Sequence, residues 1–188
     1  MMKEKLIQKI RNFQPCNPQE TADKAFMLKL LEEDTDLSHR DNLTFHLTAS
    51  AWVVNPERTK VLMAYHNLYN SWAWLGGHAD GSFDLAAVAE REAREESGLQ
   101  EVRLVSDDIL SLEVLTVNGH EKKGMYVPSH LHLNCTYLLE ADPDAPIRIK
   151  EDENSKVGWI DFDDIGSKST EPWFVERIYS KLCTKSRK

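Results

Sequence analysis

The stretch from Gly76 to Leu99, GGHADGSFDLAAVAEREAREESGL, constrains this chain more than any other. It reads as a glycine-rich turn running into a short helix. At about 100° per residue, Leu85, Val88, Ala89, Glu92, Glu95 and Glu96 fall on one side of that helix. Asp84 and Ala93 lie near its edges, and Glu90, Arg91, Arg94 and Ser97 fall opposite. The inward stripe therefore starts apolar and ends acidic. Carboxylates at i, i+3 and i+4 repel by roughly 0.2–0.5 kcal/mol per pair, and in the last turns the helix dipole also disfavours negative charge. A cation is needed to offset them. Mg2+ suits the pattern, because it takes oxygen from one or two carboxylates, keeps several waters and picks up phosphate oxygens. A solvated acidic face is the alternative, but the solvent side has its own pairing, Glu90 with Arg94 at i, i+4.

The same residues carry a resemblance. Gly77, followed at the proper spacing by Arg91-Glu92-Ala93-Arg94-Glu95-Glu96-Ser97-Gly98-Leu99, resembles the Nudix box: G, five residues, E, seven residues, R-E-U-x-E-E-x-G-U, with U apolar. Eight of nine specified positions agree over 23 of the 188 residues. The departure is Phe83 where the box has Glu, with Asp84 beside it to take over a supporting role. The resemblance implies a mixed central sheet in an α/β/α sandwich, an α+β fold. It also implies a metal-dependent hydrolase of diphosphates, using Mg2+ or Mn2+ held by Glu92 and Glu96. Glu95 becomes a ligand or water-orienting base, Gly76 a carbonyl ligand, and Arg91 the group that orients loop and acids through charge-assisted bonds. An acid late in related domains acts as base or ligand, and Glu153 occupies that region here.

Composition sets outer limits. A chain of 188 residues, 41% hydrophobic, can bury one core without disulfides. The net charge of −8 argues against a broad basic surface for nucleic acid and leaves room for a small anionic substrate bridged by metal. Cys16, Cys135 and Cys183 form no C-x-x-C pair, so a reducing cytoplasm is expected. No apolar run approaches a signal core or membrane span. Lys185 to Lys188 reads as a solvated basic tail.

Along the chain, Leu6, Ile7, Ile10 and Phe13 have helical spacing, and Asn17-Pro18-Gln19-Glu20 looks like an N-cap, Pro at N1 and acid at N3 of a second helix through Leu31. Residues 1–42 thus read as a helical extension and 43–188 as the domain. His46 to Val54 and Val61 to His66 read as strands joined at Asn55-Pro56-Glu57-Arg58, and Trp72 to Leu75 as a third that delivers the chain into a sharp Gly76-Gly77 turn. Val102 to Val105, Ile109 to Val117, His130 to Leu139 and Val157 to Ile160 have strand character. Glu171 to Leu182 reads as a closing helix burying Trp173, Phe174, Ile178 and Leu182. Periodicity alone specifies only mixed α and β.

For substrate contacts, His130 and His132 alternate along one strand and face the same way beside Asn134, as a pocket wall or a structural pair. His78 follows the glycines and is placed to touch phosphate. Trp74, sharing a face with Trp72, serves as a base-stacking or a core residue. Tyr126 lies in a Lys122-Lys123-Gly124 loop that could close over an anion. The expected partner is a small-molecule diphosphate, with no nucleic acid, no membrane, and a homodimer face open through the N-terminal helices. Two other readings stand beside hydrolysis: an isoprenoid-diphosphate isomerase, which needs a pocket cysteine and glutamate, and a non-catalytic ligand sensor, to which Phe83 points.

Overall fold

In the segment FHLTASAWVV, polar His46, Thr48 and Ser50 alternate with Leu47, Ala49 and Ala51, and a period of two sends these sets to opposite sheet faces. In the computed structural model, which describes residues 2–33, 36–122, 124–150 and 154–187, that segment is the central strand. The elements run α1 (Met2–Asn12), α2 (Pro18–Glu32), β1 (Phe45–Val54), β2 (Lys60–His66), β3 (Ser71–Ala73), β4 (Leu75–His78), α3 (Leu85–Ser97) and β5 (Arg103–Leu104). They continue with β6 (Ser111–Val117), β7 (His120–Lys122), β8 (Met125–Val127), β9 (His130–Glu140), β10 (Asn154–Asp161), a 3-10 turn (Phe162–Asp164) and α4 (Ile165–Lys168). The closing helix joins α5 (Pro172–Phe174), a π-helical turn (Val175–Tyr179) and α6 (Ser180–Ser186).

β1 pairs in parallel with β9 over ten residue pairs, from Phe45 beside Leu131 to Val54 beside Glu140. On its other side it meets β2 only at Val54 and Val61 before the two strands part, and β4 then takes over, from Thr48 opposite His78 to Ala51 opposite Leu75. β3 turns the other way onto β2. One short strand was expected here; two form, because Trp74 lies between stretches that pair with different partners. Gly76 and Gly77 therefore sit inside β4 opposite Ser50 and Ala49, not in a turn. The turn follows them, at Asp80 (φ 46°) and Gly81 (φ 94°).

The two sheet faces carry separate cores. Leu47, Ala49, Ala51 and Val53 face α3 and the N-terminal helices, which add Leu6, Ile10, Met27 and Leu31. Trp52 and Val54 face the closing helix with Ile178, Tyr179 and Leu182. That helix does not bury Trp173, which is 48% exposed. The wide π turn slips the helical phase and brings Tyr179 inward instead.

α2 begins as its sequence predicts, with Asn17 Oδ1 accepting from Glu20 N at 2.8 Å. It lies along the edge strand β6, where Asp23 Oδ2 accepts from Val114 N at 3.1 Å and satisfies an exposed ladder donor. Glu20 is fully buried and ties both chain ends together: Lys181 Nζ stands 3.1 Å and Lys185 Nζ 2.7 Å from its Oε1, and Lys181 also reaches Glu113 at 2.9 Å. Lys185 is thus a partly buried partner of Glu20 and not part of a solvated tail; Lys188 lies outside the described residues. Burial opposes the charge on Glu20, but Lys185, the Cys16 N–H and Lys181 together hold its pKa at about 2. Among the described residues no helix is long and apolar enough to cross a membrane.

Candidate active site

Where the closing helix stops covering the sheet, the alternation of β1 exposes a polar floor. His46, Thr48 and Ser50 stand beside their β9 neighbours His132, Asn134 and Thr136. Asn134 pins this floor: its Oδ1 accepts from Thr48 Oγ1 at 3.1 Å and Ser50 Oγ at 2.9 Å, while its Nδ2 donates to Glu113 Oε2 at 3.2 Å and Thr136 Oγ1 at 3.1 Å. Above lies a cavity of about 960 Å³ that also reaches Glu92, Glu95 and Glu96 of α3. The β7–β8 hairpin contributes His120, Glu121 and Val127 to its rim.

α3 is fixed at both ends. Asp84 Oδ1 accepts from Ala87 N at 3.2 Å as N-cap, the supporting role expected of it, and Gly98 ends the helix at φ 72°. Phe83 packs against the core below. The helix buries Ala86, Ala89, Ala93 and Ser97, small residues that admit close approach to the sheet. Its inner stripe is therefore turned from the predicted one, toward Ala93 and away from Glu95. Glu96 is 1% exposed and its Oε2 accepts from Gly76 N at 3.0 Å. The Glu92 side chain is 13% exposed and that of Glu95 is 49% exposed.

The two glycines explain how a strand can lie against these acids. A Cβ on Gly76 would come within 2.5 Å of Ala49 O, and one on Gly77 within 2.5 Å of Glu92 Cδ. Arg91 holds Glu92 from the other side, donating to its Oε1 at 2.8 Å and to His78 O at 3.5 Å, and stands 3.8 Å from Glu95. The bond to Glu92 raises the pKa of the guanidinium. Lys150 Nζ approaches Glu95 Oε2 at 3.9 Å.

At the other end of the cavity four imidazoles gather. The His46 ring lies 5.1 Å from His78, 4.9 Å from His130 and 5.0 Å from His132. Burial lowers the pKa of His46; burial and the neighbouring His78, His46 and His130 bring that of His132 down to about 2. The His132 ring is therefore neutral at ordinary pH.

Of the residues singled out in the sequence, Gly76, His78, Glu92, Glu95, Glu96, Arg91, His130, His132 and Trp74 all border the one cavity. Trp74 is also core, edge-on to Phe174 and Tyr179. Tyr126 is 70% exposed over Gly119 and is not among the wall residues. Glu153 and Lys123 lie outside the described residues. Arg40, His46, Thr48, Ser50 and Lys150 were not anticipated; the H-x-T-x-S alternation in β1 is the signal that marks three of them.

A model of the NUDIX domain matches residues 44–182. Among solved structures, the chain is similar to the MutT protein from Methanosarcina mazei Go1, with 17% identity over 77% of this chain and 97% of that one and a TM-score of 0.55. It is also similar to an Ap4A hydrolase from C. elegans solved as a binary complex, with 16% identity over 74% and 93% of the chains and a TM-score of 0.52. No curated protein matches its sequence. The structural likenesses carry the fold, a mixed sheet between helical layers, and the domain match carries the ancestry: this chain belongs to the NUDIX domain family.

Proposed function

We propose that this protein is a metal-dependent hydrolase that cleaves the diphosphate bond of a nucleoside diphosphate derivative or a similar organic diphosphate by water attack on phosphorus. The observation that carries this reading is the placement of the buried Glu96 and the largely covered Glu92 against Gly76 and Gly77 at the cavity wall.

The donor set fits a hard divalent cation: it is all oxygen, and the missing Cβ of Gly77 leaves the space that the Glu92 carboxylate fills. Mg2+ or Mn2+, when bound, supplies charge neutralisation for the diphosphate and acidifies a water. Glu92 and Glu96 are the residues to hold it, with the carbonyl of Gly76 as a further ligand. Arg91 keeps the Glu92 carboxylate in one orientation through a bond of 2.8 Å. Glu95, more exposed and within ion-pair reach of Lys150 and Arg91, is placed to take the proton of the attacking water. Glu153 is a second candidate base. Trp74, His78, His130 and His132 supply the wall for the rest of the substrate, and a cavity of about 960 Å³ accommodates a group of nucleotide size.

An isomerase would need a cysteine in this cavity. Among the described residues none lines it, and Cys135 is buried on the opposite sheet face. Retention of Glu92, Glu95 and Glu96 favours catalysis over passive sensing. Residues 1–42 form an extension that supports the domain, a reading consistent with a family match that starts at residue 44. Three free thiols suit a cytoplasmic location.

The test is a panel of nucleoside diphosphate derivatives and other diphosphates, assayed with Mg2+ or Mn2+ and with chelator through phosphatase-coupled phosphate release. Turnover that needs metal and vanishes in the Glu92→Gln, Glu96→Gln double variant supports the proposal. Turnover that survives chelation or the double substitution refutes it.

A further inference from the structure

The histidines at the far end of the cavity have a geometry that a substrate wall does not require. His46 and His132 are direct neighbours on the parallel strands β1 and β9, and His130 lies two residues back on the same face. One ring nitrogen from each lies within 4.8 Å of the other two. The protons of two rings are assigned by their surroundings. His46 Nδ1 is 3.0 Å from Asn42 O and His130 Nδ1 is 2.8 Å from Pro128 O, and a carbonyl only accepts, so both rings carry Nδ1–H and present the lone pair of Nε2. A backbone carbonyl on the distal N–H is the arrangement that orients histidine ligands of metals. His130 Nε2 stands 3.2 Å from His132 Nε2, close to the roughly 3.3–3.4 Å edge of a tetrahedron with metal–nitrogen bonds of about 2.0–2.1 Å. His46 is 97% buried, and its Nε2 has no hydrogen-bond partner. An unsatisfied buried acceptor on a ring packed against two further imidazoles carries a cost that an ion would remove.

We propose that His46, His130 and His132 form a second metal site, for a borderline divalent ion of the Zn2+ class, separate from the carboxylate site on α3 and facing the same cavity. The donor sets sort the ions. Three neutral imidazoles favour Zn2+, Co2+ or Ni2+ over Mg2+, and the carboxylates of α3 favour the hard ion. Without an ion, His132 donates Nε2–H to His130; with one, it adopts the Nδ1–H tautomer and turns its Nε2 lone pair inward. Three protein ligands leave a fourth tetrahedral position toward the cavity for water or a substrate oxygen. The site is independent of which diphosphate is cleaved.

Co2+ is the probe. Metal-stripped protein in excess Mg2+, which saturates the carboxylates, is titrated with Co2+ and followed by visible absorption and thermal melting. The expected result is one Co2+ per chain with the intense bands of a tetrahedral nitrogen site, displaced by Zn2+ and accompanied by a raised melting temperature. Affinity falls in His130→Ala and in His132→Ala by at least the roughly 10–100-fold that loss of a ligand's hydrogen-bond partner alone costs, and is unchanged in Glu92→Gln, Glu96→Gln. His130 is only half-buried, so its variant keeps the fold, checked by circular dichroism without metal. No Co2+ band under excess Mg2+, a band that persists in both histidine variants, or one lost with the two glutamates overturns the proposal.

Discussion

Replacing Gly77 by Ala places a methyl carbon where the Glu92 carboxylate lies. The new Cβ would stand 2.5 Å from Glu92 Cδ and 2.6 Å from Oε2, against 3.4 Å or more for ordinary contact, so the carboxylate must retreat by about 0.9 Å. What it meets is the far end of a flexible side chain, and the fold absorbs the change for about 1 kcal/mol or less. A displacement near 1 Å at a reacting group costs on the order of 100-fold in rate, and the Arg91 bond of 2.8 Å to Glu92 stretches or breaks with it. Gly76→Ala is the control. Its Cβ would meet backbone, Ala49 O at 2.5 Å and Ser50 Cα at 2.9 Å, with no side chain to give way. Overpacking of that kind costs about 1–3 kcal/mol or more, roughly 2–12 °C of melting temperature for a domain this size. The assay pairs melting curves with Mn2+ titration by electron paramagnetic resonance and turnover on whichever diphosphate the panel identifies. Gly77→Ala is expected to keep its melting temperature and lose metal affinity and rate; Gly76→Ala is expected to lose stability. If Gly77→Ala binds and turns over as wild type does, Glu92 is not held against that backbone and the reasoning fails.

Two further outcomes concern the charges that join the chain ends. Lys181→Met leaves Glu113, fully buried, without its cation, and removes one of two from Glu20; breaking such a pair costs about 3–5 kcal/mol, read by denaturant unfolding, and a change below about 1 kcal/mol would show the network carries no load. The second is a pH dependence. Glu20, with its folded pKa held near 2 against an ordinary 4.5, contributes stability that is present above about 4.5 and lost as pH falls toward 2, on the order of 3 kcal/mol in all. Glu20→Gln is expected to flatten the stability profile across that window; a profile of unchanged steepness would place the acid sensitivity elsewhere.

What could be read from residues alone was the part whose chemistry is local. Asn17 acts within one turn of itself and caps α2 where its neighbours indicate; Asp84 and Gly98 are just as local, and cap α3 in the structure. The acidic end of α3 was visible because three glutamates at helical spacing have few ways to coexist. Its rotation was not, because the burial of Ala93 and Ser97 in place of Glu95 depends on how closely β4 lets the helix approach, and that distance is set by glycines nearly 20 residues earlier in the chain. The parting of β1 from β2 was hidden for a similar reason: which of two neighbours β3 and β4 choose is a property of the sheet. Glu20 reads in sequence as a first-turn acid that complements the helix dipole, and only the arrival of Lys181 and Lys185 from the other end of the chain makes it a buried ion. The histidine cluster follows the same rule. His130 and His132 are paired by strand alternation, whereas His46 joins them through a parallel register that no local spacing encodes.

The central claim is that the carboxylates of α3 hold the metal at which water attacks a diphosphate. Hydrolysis in heavy-oxygen water, followed by mass spectrometry of both products, tests it most directly. With Mg2+ the label is expected on phosphorus in a single product, and Glu96→Gln, which removes the buried charge held by Gly76 N, is expected to abolish its incorporation. Label in the organic fragment bonded to carbon, or incorporation undiminished by Glu96→Gln, would contradict the account.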